Sequence, residues 1–279
     1  MRFRTIAIAT TVLLLVIVGS FYGLRSIVFA AAERNLLDPH KNGTATPSQY
    51  GAAYTPFWFE SGGRKLEAYQ VTAPASCRDR LALLIFHGRG EAVSSWAKAQ
   101  AFLATNCVSS MVFDYSGFGN SAPPAHIATA DEDAVAAYRT FVERFPAGWR
   151  RCVLGHSMGN APMLHAYPSF RSGPDCVVVA NAFSSVQDMA LAGGAPGPLA
   201  AFLSGVWDNT KAIKAVTAPL MVVHGDADTT IPRAFAARLD ASAPNGAQRL
   251  TLHGFGHNAL YDNPDARWWA PVLSFMHGS

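Results

Sequence analysis

An α/β domain with a mostly parallel central sheet and helices on both faces is what this sequence predicts. Two observations carry that reading: short continuous apolar runs recur along the chain, and helix-length segments lie between them. Runs that are apolar throughout belong to strands buried on both faces, and strands alternating with helices pair in parallel. A third observation adds a hydrophobic helix in front of the domain. After "MRFR", the 20 residues Thr5–Leu24 carry no charge. As a helix they would span about 30 Å, the thickness of a bilayer's hydrocarbon core.

Taken in order, residues 1–30 read as a signal anchor or signal peptide. Arg2 and Arg4 precede the apolar stretch and Arg25 follows it. That balance weakly favours the N-terminus in the cytoplasm and the body outside. Val28–Glu33, "VFAAAE", offers small residues for a signal peptidase, so an anchor and a cleaved leader both stay open. Residues 31–55 are rich in turn formers and read as a linker to a domain over 56–279.

Within that domain, Pro56–Pro74 reads as a hairpin turning at Gly62-Gly63. The apolar runs follow at Leu81–Phe86, Ser110–Phe113, Cys152–Leu154, Cys176–Ala180 and Pro219–Val223, with a less apolar one at Gln248–Leu252. Between them, Thr129–Phe145 carries a Thr/Asp cap and then apolar residues at helical spacing. Ile231–Ser242 does the same with an early proline. Phe183–Val216 is the least regular stretch and reads either as a short cap over a site or as a plain connection.

Composition excludes some functions. Of 279 residues, 50% are apolar and 15% charged, too apolar for disorder. The net charge of +3 comes from the leader's three arginines, which leave 19 basic residues against 19 acidic ones. No nucleic-acid surface is expected.

The chemistry begins at "LGHSMGNAP" (Leu154–Pro162). Serine hydroxyl is a poor nucleophile at neutral pH and needs a base within hydrogen-bond reach. A serine on a sharp strand-to-helix turn, flanked by glycines two positions away, is pushed out at the sheet's edge. Alone, G-x-S-x-G is a weak signal, so the partners decide. "VVHGDADTTIP" ends a buried strand in a loop with Asp226 and Asp228, and "LTLHGFGHN" ends a strand with His253 and His257. Ser157, Asp228 and His257 are the expected triad, with Asp226 and His253 as the rivals. Asp228 and His257 lie farther into their loops. An oxyanion needs two N–H donors. Met158 follows the nucleophile, and Arg89 stands in "FHGRGE" after the third strand.

These residues resemble the α/β-hydrolase superfamily, and within it the Bem46-like and ABHD13/ABHD17-like branch of serine hydrolases. The resemblance runs over about residues 55–277. It rests on "LLIFHGRGE", "VFDYSGFGNS", "LGHSMGNAP", "ANAFSSV", "VVHGDADTTIP" and "GFGHN", in that order. It implies the α/β-hydrolase fold with a short cap segment and a serine hydrolase, whether esterase, thioesterase or peptidase-like. An ester or thioester is the expected substrate, and the triad chemistry needs no metal or organic cofactor. The branch usually carries arginine where Ser116 stands. Arg89 and Phe183 are the expected substrate contacts, although the Arg89 side chain could equally be solvated or paired with Glu91. The expected substrate is a small acyl ester or thioester, lipid-derived ones included. Peptide hydrolysis, acyl transfer to another acceptor and a catalytically silent anchored domain are the alternatives. The strand order that the resemblance implies makes the strands after Cys77 and Cys107 neighbours, and likewise those at Cys152 and Cys176. Disulfides Cys77–Cys107 and Cys152–Cys176 follow, as an exported body permits.

Overall fold

A computed structural model describes residues 2–41 and 43–278. Eight strands form one sheet: β1 (Tyr54–Ser61), β2 (Arg64–Val71), β3 (Leu81–Phe86), β4 (Val108–Phe113), β5 (Arg150–His156), β6 (Cys176–Ala180), β7 (Leu220–Gly225) and β8 (Gln248–Leu252). Their order is β1-β2-β4-β3-β5-β6-β7-β8. The β1–β2 hairpin and the β2–β4 pair are antiparallel, and every later pair is parallel. This is the α/β-hydrolase fold. Every residue of β3, β4, β6 and β7 is buried, which is why β3 and β6 read as unbroken apolar runs, while β4 also buries Ser109 and Ser110 and β7 His224. At the far edge β8 buries only Leu252, so its sequence is mixed.

Helices cover both faces: α1 (Arg2–Leu37), α2 (Ala97–Thr105), α3 (Ile127–Arg144), α4 (Asn160–Ala166), α5 (Val186–Ala192), α6 (Gly197–Ala200), α7 (Asn209–Ala212), α8 (Arg233–Ser242), α9 (Ala259–Asp262) and α10 (Ala266–His277). Two apolar cores result. One packs α3, α4 and α8 under the sheet, around Phe86, Phe113 and Phe141. The other packs α2 and α10 on the opposite face, around Trp96, Trp268 and Trp269.

Two expectations change. The helix α3 starts at Ile127, not at a Thr129/Asp131 cap. Thr129 Oγ1 instead accepts the N–H of His126, just ahead of the helix, at 3.0 Å. Asp133 is drawn inside, where it accepts from Ser116 N at 2.7 Å and from Arg64 Nη2 at 3.2 Å. Ser116 itself accepts from Arg64 Nε at 2.7 Å, so a guanidinium from β2 meets the position where the branch has an arginine. The second change concerns residues 31–55. The helix α1 continues to Leu37, and its end is docked on the body. Leu37 is 2% exposed, and Glu33 accepts the N–H of Ile127 at 2.7 Å. Farther back, Phe21 stacks edge-on against Phe202 with ring centroids 5.1 Å apart. Leu13–Leu37 is long and apolar enough to cross a membrane, and its apolar stretch is exposed.

The sulfurs of Cys77 and Cys107 are 2.04 Å apart and those of Cys152 and Cys176 are 2.09 Å apart. Cys152 and Cys176 face each other across the β5–β6 register. Closing loops of 30 and 24 residues removes unfolded-chain entropy, about 3.5 kcal/mol each.

Candidate active site

The strand β5 ends at His156, and the chain turns at once through Ser157–Gly159 into α4. Ser157 sits at φ +51°, a left-handed conformation that costs a non-glycine residue energy and lifts its hydroxyl clear of the strand. The flanking glycines are required by contact. A Cβ on Gly155 would lie 2.7 Å from Asn160 Cα, and one on Gly159 would lie 2.0 Å from the Phe86 carbonyl oxygen.

Two loops at the same end of the sheet reach Ser157. His257, in the loop after β8, places Nε2 2.8 Å from Ser157 Oγ. Its Nδ1 lies 2.7 Å from Oδ2 of Asp228, in the loop after β7. The other carboxylate oxygen, Oδ1, accepts the N–H groups of Thr230 and Ile231 at 2.8 and 2.9 Å. Burial alone would push the Asp228 carboxyl up. The His257 hydrogen bond and those two N–H groups outweigh it and hold the carboxyl below its usual value. The rival residues come together with each other instead: His253 Nδ1 is 2.7 Å from Asp226 Oδ2, with the His253 side chain 87% exposed.

The loop after β3 approaches from the other side. A Cβ on Gly88 would lie 3.1 Å from Ser157 Cβ, so Arg89 N–H belongs to a loop packed directly on the serine turn. Met158 is buried at 2% exposure. The Arg89 side chain pairs with Asp38, just beyond α1, at 3.0 Å. The expected alternative partner, Glu91, is committed elsewhere: its Oε1 lies 2.9 Å from His156 Nδ1. Phe183 also departs from expectation. It is 2% exposed within the core, and its carbonyl accepts from Asn209 Nδ2 at 2.9 Å, so it is a packing residue and not an exposed substrate contact.

Two supports of the histidine loop stand outside the expected site residues: Asn181, which sequence reasoning missed, and His156, which it reads as a structural residue at a strand end. Asn181 donates Nδ2 to the His257 carbonyl at 2.7 Å and accepts the Gly225 N–H at 3.0 Å. His156 Nε2 lies 2.9 Å from the same carbonyl. The signal was present in polar residues at strand ends that the fold was expected to bury. Beside His257 opens a cavity of about 420 Å³ lined by Phe255, Asn258, Asp262 and Arg267 among others. Among the described residues, no cluster of three or more His, Cys, Asp or Glu side chains is placed to hold a metal ion.

Comparisons with known proteins bear on the fold that carries this geometry. The family model Hydrolase_4, described as serine aminopeptidase, S33, matches residues 78–209. An uncharacterized Mycobacterium tuberculosis protein is 26% identical over 184 residues, 63% of this chain and 63% of its own length. Alpha/beta hydrolase domain-containing protein 17C of Mus musculus is 24% identical over 216 residues, covering 71% of this chain and 65% of that one. The chain thus spans less than two thirds of these relatives' lengths. Among solved structures, a Pyrococcus furiosus esterase superposes with a TM-score of 0.67 at 16% identity, over 87% of this chain and 99% of its own. A bacterial membrane phospholipase A superposes with a TM-score of 0.60 at 14% identity, over 99% and 100%. The eight-stranded sheet and these matches agree: the chain has the α/β-hydrolase fold and is similar to the ABHD17-like branch.

Proposed function

We propose that the protein is a serine hydrolase that cleaves an acyl ester or thioester through an acyl-enzyme intermediate. The observation that carries this reading is the unbroken chain Ser157 Oγ–His257–Asp228, with contacts of 2.8 and 2.7 Å. His257 Nε2 takes the Ser157 proton as Oγ attacks the acyl carbon. Asp228 fixes the imidazole tautomer and stabilises the imidazolium. The N–H groups of Met158 and Arg89 receive the oxyanion. The leaving alcohol or thiol departs with the proton from His257, and water then repeats the sequence to release the acid and restore Ser157. No metal or organic cofactor enters these steps.

Membrane attachment through α1 goes with this reading, with the catalytic body on the extracytoplasmic side, or secreted if the leader is cleaved. Its support is the exposed apolar stretch within Leu13–Leu37 and two cysteine pairs at bonding distance, which suit an oxidising compartment. The phospholipase likeness favours lipid-derived esters among the substrates. A second reading, peptide hydrolysis, is favoured by the family model's description as a serine aminopeptidase. A panel of esters and thioesters of graded acyl length, run beside aminoacyl anilides on the full chain, separates the two. Turnover of esters with anilides untouched is expected, and preferential anilide cleavage would overturn it.

A further inference from the structure

Directly beneath the serine and histidine loops lies a second carboxylate–imidazole pair that the steps above do not use. Glu91 Oε1 is 2.9 Å from His156 Nδ1, with the side chains 6% and 0% exposed. The other oxygen, Oε2, accepts the Gly88 N–H at 2.8 Å and the Trp96 Nε1–H at 2.9 Å. On its far side, His156 Nε2 meets the carbonyl oxygen of His257 at 2.9 Å.

The hydrogen-bond inventory fixes one proton position. A carbonyl oxygen only accepts, so His156 Nε2 carries a proton. Two donors, the Gly88 N–H and Trp96 Nε1–H, converge on Glu91 Oε2. A single proton joins Oε1 to His156 Nδ1, making a carboxylate and an imidazolium when it rests on the imidazole. The directions of their titration agree: burial opposes both charges, and their mutual attraction and hydrogen bond hold Glu91 below and His156 above the ordinary values. The groups that face the pair come from every neighbouring element. They are His87 and Trp96 from the β3 side, Tyr115 after β4, Asp228 and His257 from the two catalytic loops, and from α9 Asp262 and Tyr261, which also hydrogen-bonds Glu91.

We propose that Glu91 and His156 are positioning residues that clamp three loops in one register. Glu91 holds the β3 loop through the Gly88 N–H, His156 stands next to the serine on β5, and His156 grips the loop of His257 through its carbonyl. No other pair of side chains described above touches all three. A geometry held by such a clamp matters for rate because a displacement of about 1 Å at reacting groups can cost about 100-fold.

The inference rests on the serine-hydrolase reading, and its test is built to tell the two apart. Full-length protein is labelled to completion with a fluorophosphonate, which counts working sites and removes any unfolded fraction from the rate. Glu91→Gln keeps the connections: its oxygen accepts from Gly88 and Trp96, and its amide donates to a neutral His156 that still donates to His257. Glu91→Ala breaks them. Per titrated site, Glu91→Ala should lose about 100-fold in kcat with KM little changed. Glu91→Gln should stay within about fivefold of the wild type, the worth of one ordinary hydrogen bond. If Glu91→Ala yields no sites, His156→Gln takes its place. Gln can donate to Glu91 but then turns its oxygen on the His257 carbonyl, and the same loss is expected. A wild-type rate per site in Glu91→Ala or His156→Gln, or an equal loss in Glu91→Gln and Glu91→Ala, would overturn the clamp alone. A wild type that takes no probe at all would overturn the hydrolase reading and the clamp's purpose with it.

Discussion

Two Asp–His pairs stand side by side in this molecule, built from the same two loops. Asp228 meets His257 at 2.7 Å and Asp226 meets His253 at 2.7 Å. Distance does not distinguish them, but their surroundings do. The Asp228 side chain is fully buried and His257 is 12% exposed, whereas Asp226 is 28% and His253 87% exposed. Beyond His257 lies a serine hydroxyl, and its carbonyl is gripped by Asn181 and His156. His253 stands out in solvent, where water screens the pair and competes for every hydrogen bond. An Asp–His contact becomes a catalytic element only when burial gives the charge leverage and a third group waits on the open nitrogen.

The largest effect that sharpens this contrast is on rate. Ser157→Ala or His257→Ala should abolish most turnover of an ester substrate. Asp228→Asn should lower kcat by about 10⁴-fold by favouring the wrong imidazole tautomer. Asp226→Asn should stay within about twofold, as expected of an exposed pair. Steady-state kinetics of the four variants checks this. Activity lost in Asp226→Asn and kept in Asp228→Asn would reverse the assignment.

A half-buried carboxylate, with no ion pair among the described residues, gives the next effect. Asp131 accepts from Trp207 Nε1 at 2.9 Å, and burial pushes its carboxyl up to about 7 despite that bond. Raised in the fold, it binds a proton that the unfolded chain releases near pH 4, so its contribution is fully present below that pH. It is lost as pH rises to about 7. Asp131→Asn should remove that fall, worth roughly 1–2 kcal/mol after discounting for solvent. Thermal unfolding of wild type and variant from pH 4 to 8 reads it, and parallel curves would contradict it. Asp228 has the opposite sign. Its depressed carboxyl stabilises the fold above about pH 4 and loses that contribution as pH falls through its lower folded value.

Smaller still is the surface pair. His253→Ala should shift Tm by less than about 2 °C, in keeping with exposed ion pairs. A larger drop would show that the β8 loop depends on it. Smallest is Arg89→Ala. With its guanidinium committed to Asp38, the ratio of kcat/KM for anionic against neutral esters should not move. A selective loss on anionic esters would restore Arg89 as a substrate contact.

Much of this was legible in the sequence because the fold repeats one simple pattern. The runs at Leu81–Phe86, Cys176–Ala180 and Gln248–Leu252 are the strands β3, β6 and β8. They are legible because burial on both faces leaves no polar residue to blur the ends, and at β8 because turn formers bound it. The candidate site was legible as far as each residue lies in a loop after a strand. What the sequence could not convey was contact across loops. Glu91 reads as a charge beside Arg89, yet it is pulled inside by Gly88 and Trp96 of its own connection and by His156, 65 residues away on β5. Ala31–Leu37 is rich in helix formers and carries a local signal that the helix continues, but nothing local shows that its end docks. Leu37 and Glu33 find their partners on the body, in its apolar core and at the start of α3. Phe183 reads as a site residue from its neighbours in "ANAFSSV", but its side chain is turned into the core.

The central claim is that Ser157 is the nucleophile, activated by His257. Its most direct test is to treat the full-length protein in detergent with a fluorophosphonate and map the adduct by peptide mass spectrometry. The account predicts one adduct, on Ser157, absent from Ser157→Ala and formed far more slowly in His257→Ala. An unmodified Ser157, or an adduct on another serine, would contradict it.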